Sequence, residues 1–255
     1  MKVASVLVGL AILGLLAGTA PAALIAGGSF ESPDVADGTN DVADATGQTW
    51  SNGWTSSDNG KSGFTYGAGR EDPSTDKTGQ TGAQYAKMEF AATSSQDQWV
   101  KIASPSLGTA AASYTYTFEV DMTWDKAWGA GTQPSLETIW GSSNKVTLYV
   151  NGQAFDRDHG TLPEDTFTAR SIEVVVDASG NLQSTDADSA PAIGTPLAGG
   201  DIYAQLMAGR AKGSGGGGAT YMLWDGAEFD AVPEPVSLSL LGLGALGMLV
   251  RRRRK

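Results

Sequence analysis

Apolar and polar residues alternate along several short segments of this chain, and the alternation is clearest in residues 114–124. One face of that segment carries Tyr114, Tyr116, Phe118, Val120 and Met122, and the other carries Thr115, Thr117, Glu119, Asp121 and Thr123. A period of two, built from aromatic and β-branched residues, predicts an antiparallel β-strand with one buried face.

Other segments have the composition and the bounding turn residues of strands; they are residues 84–90, 98–103, 145–150, 170–177, 201–208 and 221–230. Residues 145–150 are followed by Asn151-Gly152, a dipeptide typical of a two-residue hairpin turn. Few segments have a helical period of apolar residues. Short strands separated by Gly, Ser, Thr and Asp over about 200 residues predict an all-β domain, most simply a β-sandwich.

The N-terminus departs from this pattern and has the features of an export signal. Lys2 supplies a positive charge, residues 3–16 are apolar, and Ala20-Pro21-Ala22 supplies the small residues of a cleavage site. This order predicts a secretory signal peptide over residues 1–23, a helix that enters the Sec machinery and is removed after Ala22 or Ala23.

The C-terminus departs from the pattern as well. Residues 233–255 comprise Pro233-Glu234-Pro235, the uncharged apolar run 236–250, and the cations Arg251, Arg252, Arg253, Arg254 and Lys255. A helix over the apolar run would be about 22 Å long, somewhat short for a hydrocarbon core of about 30 Å. Because positive charge stays on the cytoplasmic side, the run predicts a transmembrane helix with the preceding chain outside the cell.

This order of parts resembles the PEP-CTERM sorting signal of exported bacterial proteins. The resemblance covers residues 233–255 and implies that an exosortase, a membrane cysteine protease, cuts near Pro233-Glu234-Pro235. It also implies that the protein is first anchored in the inner membrane through the C-terminal helix. The product is then released or re-attached at the cell surface or outside the cell. An ordinary C-terminal membrane anchor is the alternative interpretation of these residues.

The segment between the two ends, residues 24–232, forms the mature domain. It contains 11 basic and 27 acidic residues, which is a net charge of −16. This charge argues against a nucleic-acid partner, because binding to a phosphate backbone requires a basic face. The chain has no cysteine, so disulfides and thiolate metal sites are excluded, whereas carboxylates that could bind Ca²⁺ are plentiful.

The start of the mature domain carries a second resemblance. Gly28-Ser29-Phe30-Glu31, followed by Asn52-Gly53-Trp54, is similar to the opening of galactose-binding-like jelly rolls. The resemblance implies a jelly-roll-like antiparallel β-sandwich whose last strand lies beside its first. It also implies sugar binding through loops at one end, and a structural calcium ion held by Glu31 with Asp225 or Asp230. Solvated acidic loops are the alternative for these carboxylates.

Four tryptophans are the candidate sugar-binding residues of this domain: Trp54, Trp124, Trp128 and Trp140. They lie in or beside loop-rich segments, and binding residues are disproportionately found on loops. The alternative is that they pack in the core, since tryptophan is highly buried on average.

Catalytic residues are not apparent in the sequence. The only histidine is His159 and no G-x-S-x-G motif occurs, which argues against a Ser-His-Asp hydrolase. A polysaccharide hydrolase would need two carboxylates at a set spacing, with Asp121, Glu137 and Asp158 as candidates. The sequence therefore predicts an exported, non-catalytic carbohydrate-binding or adhesion module. A polysaccharide hydrolase and a purely structural matrix component are the alternatives.

Overall fold

The computed structural model describes residues 23–24, 30, 39–40, 43–44, 53–58, 66–72, 77–90, 98–126, 144–158, 162–210 and 220–234. Every regular element in those ranges is a β-strand. The strands are β1 (Ala23–Leu24), β2 (Thr39–Asn40), β3 (Ala43–Asp44), β4 (Thr55–Asp58), β5 (Tyr66–Asp72), β6 (Tyr85–Phe90), β7 (Gln98–Ala103), β8 (Gly108–Thr109), β9 (Tyr114–Lys126), β10 (Lys145–Val150), β11 (Gln153–Asp158), β12 (Thr168–Val176), β13 (Leu182–Thr185), β14 (Asp201–Arg210) and β15 (Thr220–Pro233).

These strands pair into two antiparallel sheets. Sheet A has the order β13-β12-β9-β15-β6-β5-β2, with β1 beside β15 and β3 beside β5. Sheet B has the order β11-β10-β14-β7-β4, with β8 beside β14. Neighbours such as β9 and β15, or β7 and β14, are far apart in sequence, as expected for a jelly-roll-like sandwich. The predicted all-β fold is therefore confirmed.

The hydrophobic core lies between the sheets and is built by alternate residues of their strands. Phe118, Val120 and Met122 of β9 are fully buried, and so are Leu148 and Val150 of β10. All of these residues belong to one contiguous apolar cluster. The alternation seen in residues 114–124 therefore identified the buried face of β9 correctly.

Part of the outer face of sheet A is covered by two loop segments, residues 77–84 and 162–167. Isolated bridges join Thr78 to Thr166 and Trp124 to Glu164. The ring of Phe167 lies 5.7 Å from that of Tyr85 on β6, and both pack with Leu223 in a small apolar cluster. Outward-facing residues beneath these segments are consequently buried.

The turn between β10 and β11 has the geometry that its sequence predicts. Asn151 and Gly152 both have positive φ angles, 52° and 71°, and Val150 pairs directly with Gln153. Two consecutive left-handed residues define a type I′ turn, whose twist matches that of the flanking strands. Strand β11 begins immediately after the turn, where the sequence analysis placed no strand.

The first and last strands of the domain are neighbours. Ala23 pairs with Phe229 and Leu24 with Glu228. The two aromatic residues of the opening motifs also meet, because the ring of Phe30 lies 5.3 Å from that of Trp54 and both are fully buried. This arrangement agrees with the jelly-roll resemblance.

The predicted signal helix and the predicted helix over residues 236–250 lie outside the described residues. Within the part of the chain that the structure describes, no helix combines the length and the apolar character that spanning a bilayer requires.

Candidate functional site

The outer face of sheet B presents aromatic and polar side chains in ordered rows. The core-facing residues of β7, β10 and β14 are apolar, so the alternate residues point away from the core. The outer face of sheet B consists of Thr55, Ser57, Trp99, Lys101, Ala103, Lys145, Thr147, Tyr149, Ala154, Asp156, Asp158, Tyr203, Gln205 and Met207. All of these side chains except Thr147 are partly or fully exposed.

Two tyrosines form a stacked pair on this face, the tyrosine stack. Tyr149 on β10 lies directly opposite Tyr203 on β14, with ring centroids 4.5 Å apart and an interplanar angle of 9°. The Tyr149 hydroxyl donates a long hydrogen bond of 3.5 Å to Oε1 of Gln205. Cross-strand aromatic pairs stabilise a sheet, and here the pair also holds two rings in a fixed orientation on an accessible surface.

The electrostatic surroundings keep both hydroxyls protonated. Burial raises the pKa of Tyr149 above its usual value of 10.0, and the nearby charge of Asp156 raises it further. Burial also raises the pKa of Tyr203, with smaller contributions from Tyr149 and Asp201. Both hydroxyls are therefore protonated at neutral pH, and that of Tyr203 can donate a hydrogen bond to a ligand.

A row of polar residues crosses the sheet beside the tyrosine stack. Asp156 lies opposite Thr147, and Thr147 lies opposite Gln205. The carboxylate of Asp156 accepts hydrogen bonds from Lys145 Nζ at 2.5 Å and from Thr147 Oγ1 at 2.7 Å. These contacts hold Asp156, Lys145 and Thr147 in place relative to the rings.

A second aromatic residue lies on the far side of the face. Lys101 Nζ is 4.7 Å from the ring centroid of Trp99, which is within cation–π distance. Among the described residues, no carboxylate forms an ion pair with Lys101. The N–H groups of the Lys101 ammonium can therefore donate hydrogen bonds to a ligand.

The tryptophans named from the sequence occupy other places. Trp54 is fully buried against Phe30, so its ring packs in the core, as the alternative interpretation expects, and is not exposed to a ligand. Trp124 is partly buried against the core, and its Nε1 donates a hydrogen bond to the carbonyl of Leu162 at 3.1 Å. Trp128 and Trp140 lie outside the described residues.

The predicted calcium ligands are only partly described. Asp225 is fully buried; its Oδ2 accepts a hydrogen bond from the Thr81 amide at 2.6 Å and its Oδ1 from the Gly226 amide at 2.8 Å. The Asp230 carboxylate accepts one from the Ala231 amide. Within the described ranges no group of three acidic or histidine residues could hold a metal, and Glu31 lies outside those ranges.

Of the carboxylates considered for hydrolysis, the two that the structure describes do not converge. Asp121 lies on the outer face of sheet A, opposite Asp225, whereas Asp158 lies at the end of β11 on the outer face of sheet B. The core of the sandwich separates the two, and Glu137 lies outside the described residues. Asp121 and Asp158 therefore cannot form an acid–base pair in this fold.

The first residues of the sorting motif are part of sheet A. Pro233 ends β15 and pairs with Tyr114. Glu234 donates its backbone N–H to the carbonyl of Ser113 at 2.8 Å, and its Oε1 accepts a hydrogen bond from Thr115 Oγ1 at 2.5 Å. Pro235 and the arginines Arg251, Arg252, Arg253 and Arg254 lie outside the described residues.

Sequence reasoning missed the outer face of sheet B. The signal was present, because in residues 145–150 and 201–208 the valines, leucines, isoleucine and alanines alternate with Lys145, Thr147, Tyr149, Tyr203, Gln205 and Met207. Alternation shows which side chains point away from the core, but it does not show which strands lie side by side.

Comparison with known proteins agrees with the fold and with the C-terminal signal. Residues 231–255 match the PEP-CTERM protein-sorting motif, and no curated protein matches the chain. A cyclase from Fischerella sp. TAU, solved in complex with 4-(1H-indol-3-yl)butan-2-one, is 15% identical with a TM-score of 0.52, covering 84% of this chain and 99% of the cyclase.

Two further solved structures are more distant. A family 11 carbohydrate-binding module from Clostridium thermocellum, in complex with a β-1,3-1,4-mixed-linked tetrasaccharide, is 12% identical with a TM-score of 0.37, covering 78% of this chain and 99% of the module. An alginate lyase of Polysaccharide Lyase family 7 is 9% identical with a TM-score of 0.31, covering 58% of this chain and 78% of the lyase. The chain is therefore a jelly-roll-like β-sandwich that ends in a PEP-CTERM protein-sorting motif.

Proposed function

We propose that this protein is a non-catalytic polysaccharide-binding or adhesion module that works at the cell surface or in the extracellular matrix. It binds its ligand on the outer face of sheet B. The observation that carries the proposal is the stacked pair of Tyr149 and Tyr203, held beside a row of fixed polar groups. The C-terminal sorting motif, which is typical of exported proteins, supports this location.

The tyrosine stack suits the chemistry of a sugar ring, because one face of each ring is not covered by the other ring. A pyranose has an apolar C–H face that packs on an aromatic ring, and hydroxyl groups around its edge that need hydrogen-bond partners. Ligand sites combine apolar and aromatic surface with a few well-placed polar groups. Asp156 and Gln205 can accept hydrogen bonds from hydroxyls, and Lys101 and the Tyr203 hydroxyl can donate them.

The shape of the face favours a polymer over a single sugar. The row that begins with the polar residues Asp156, Thr147 and Gln205 continues across the small apolar residue Ala103 to Thr55, on five adjacent strands. Since neighbouring strands lie about 4.8 Å apart, the row extends roughly 19 Å, enough for several linked sugar units. The net charge of −16 on residues 24–232 disfavours polyanions, so we expect a neutral polysaccharide.

Binding can be tested with the secreted mature protein on a glycan array and by affinity electrophoresis in gels containing the best polysaccharide. Tyr149→Ala and Tyr203→Ala are each expected to weaken binding about 10-fold or more, equivalent to ~1.4 kcal/mol, because each removes one of the two stacked rings. Tyr149→Phe keeps the ring and is expected to weaken binding less than Tyr149→Ala.

Ile193→Ala is the matched control, since Ile193 is a 66% exposed apolar residue that does not belong to the outer face of sheet B. Unchanged binding in both Tyr149→Ala and Tyr203→Ala would contradict the assignment of the site to the outer face of sheet B. Release of reducing ends from the bound polysaccharide would contradict the non-catalytic function.

A further inference from the structure

The beginning of the sorting motif is folded into the sandwich. β15 pairs with β9 along its length, and the last pairs of the register are Ala231 with Tyr116, Val232 with Thr115 and Pro233 with Tyr114. Glu234 extends the interaction by one residue through its backbone N–H and its carboxylate. The main chain is therefore engaged with sheet A up to Glu234.

Ser113 ties this end of β15 to a third strand. Its carbonyl accepts the Glu234 N–H, and its own N–H is donated to the carbonyl of Asp177 at 3.0 Å, directly after β12. Ser113 has a φ of 58°, an uncommon conformation for a residue other than glycine. The turn at Ser113 thus links the chain at Glu234 both to the start of β9 and to the end of β12.

Aromatic packing supports the same corner from the core side. The ring of Tyr116 lies 5.9 Å from that of Tyr114 and 6.2 Å from that of Phe229, with nearly parallel planes in both pairs. Tyr116 is 2% exposed. Separation of the end of β15 from β9 would disturb this stack. The aromatic packing therefore helps to keep the end of β15, and with it Glu234, in place.

A sorting protease must bind its substrate as an extended segment whose backbone groups are unpaired. We propose that the folded sandwich restricts the sorting cleavage to the C-terminal side of Glu234, so that the mature protein keeps Pro233 and Glu234. In this step the peptide C–N bond breaks, and the nitrogen leaves as the new amino terminus of the apolar segment. The carbonyl carbon bonds to the protease thiolate, and then to water or to an amine acceptor.

The first test is the terminus of the natural product. The full chain is produced in a bacterium that has an exosortase, the mature protein is purified, and its C-terminal peptide is identified by mass spectrometry. A last residue at Glu234 or beyond is the expected result. A mature protein that ends at Pro233 or earlier would overturn the proposal.

The second test separates the fold from the preference of the protease. Thr115→Val removes the hydroxyl that binds Glu234 and keeps a β-branched residue in β9. Thr117→Val is the matched control, because Thr117 has the same orientation on β9 and pairs with Asp230. We expect part of the Thr115→Val product to end before Glu234, and the Thr117→Val product to match the parent. Identical termini in all three proteins would show that the fold does not set the cut.

The third test needs no exosortase. The detergent-solubilised full chain is treated with a non-specific protease under native conditions, and the masses of the trimmed products are measured. Trimming of the parent and of Thr117→Val is expected to stop at or after Glu234, whereas trimming of Thr115→Val continues towards Ala231. Rapid loss of Pro233 and Glu234 from the parent protein would contradict the protection that the structure implies.

Discussion

Asp121 is a carboxylate whose ionisation opposes folding. Burial raises its pKa above the usual 3.8, and the charges of Glu119 and Glu228 raise it further. Because the pKa of Asp121 is higher in the folded state than in the unfolded state, protonation of Asp121 stabilises the folded protein. This contribution to the free energy of unfolding is fully present below the unfolded-state pKa and is lost as the pH rises through the folded-state pKa. Asp121→Asn is therefore expected to raise the urea midpoint of unfolding at pH 7, with a smaller gain at pH 4.

The matched control for this prediction is Asp158→Asn. Asp158 is exposed at the end of β11, so its substitution removes the same charge without relieving burial. An equal gain in the urea midpoint from both variants would assign the effect to net charge alone. A lower midpoint for Asp121→Asn at pH 7 would contradict the direction of the pKa shift.

Tyr116 uses its hydroxyl to fix the start of β9. The hydroxyl oxygen accepts a hydrogen bond from the Ala111 amide at 2.5 Å and donates one to the Ala111 carbonyl at 3.3 Å. Tyr116→Phe keeps the ring stack but leaves these backbone groups without that partner. We expect a loss of about 1–3 kcal/mol in the free energy of unfolding, measured by urea denaturation.

Tyr114→Phe is the comparison for this variant, because no described hydrogen bond involves the Tyr114 hydroxyl. Its free energy of unfolding is expected to change by less than that of Tyr116→Phe. Similar losses in the two variants would mean that the hydrogen bonds to Ala111 contribute little.

The sequence predicted the burial of a residue correctly where that burial depends only on the alternation within one strand. Alternation placed Phe118, Val120 and Met122 in the core correctly. The tryptophans could not be placed in this way, because the burial of Trp54 depends on its contact with Phe30, which lies more than twenty residues earlier in the sequence. The stacked pair of Tyr149 and Tyr203 likewise depends on the register of β10 against β14.

The hairpin of β10 and β11 depends on its turn. Gly152 has a φ of 71°, which costs a residue with a Cβ atom about 1–2 kcal/mol. Gly152→Val is expected to destabilise the protein by that amount, whereas Gly152→Asn is expected to cost less, because asparagine tolerates the left-handed region. Urea unfolding of both variants measures the difference, and equal losses would argue against a type I′ turn.

Strand predictions succeeded where apolar residues dominate and failed where they do not. Predicted strands 98–103 and 145–150 match β7 and β10 residue for residue. β11 was missed because Gln153–Asp158 contains three charged residues and only one large apolar side chain, Phe155. Its strand character comes from pairing with β10, which a local pattern cannot reveal.

For the molecule as a whole, calcium binding stays a prediction that rests on the jelly-roll resemblance. At a calcium concentration 100 times the dissociation constant, the folded state gains about 2.7 kcal/mol. For a domain of this size the melting temperature would rise by roughly 5–10 °C. Differential scanning calorimetry in EGTA and in excess calcium measures the shift, which Glu31→Gln is expected to abolish.

Asp225→Asn distinguishes a metal ligand from a structural carboxylate. Because Asp225 accepts two backbone N–H groups in the described structure, its substitution is expected to lower the melting temperature in EGTA as well. If the melting temperature of the parent protein does not change with calcium, the prediction of a structural calcium ion is wrong.

The central position of β15 has a mechanical consequence. β15 lies between β9 and β6, runs antiparallel to β9 over twelve registered residue pairs, and leads directly to Glu234. A load applied to the C-terminal tail therefore pulls along this strand and shears many backbone hydrogen bonds at once, instead of peeling them apart one by one. If the protein is held by this end, the force is borne by the strand at the middle of sheet A, and the lifetime of the fold under tension follows the rate of forced unfolding.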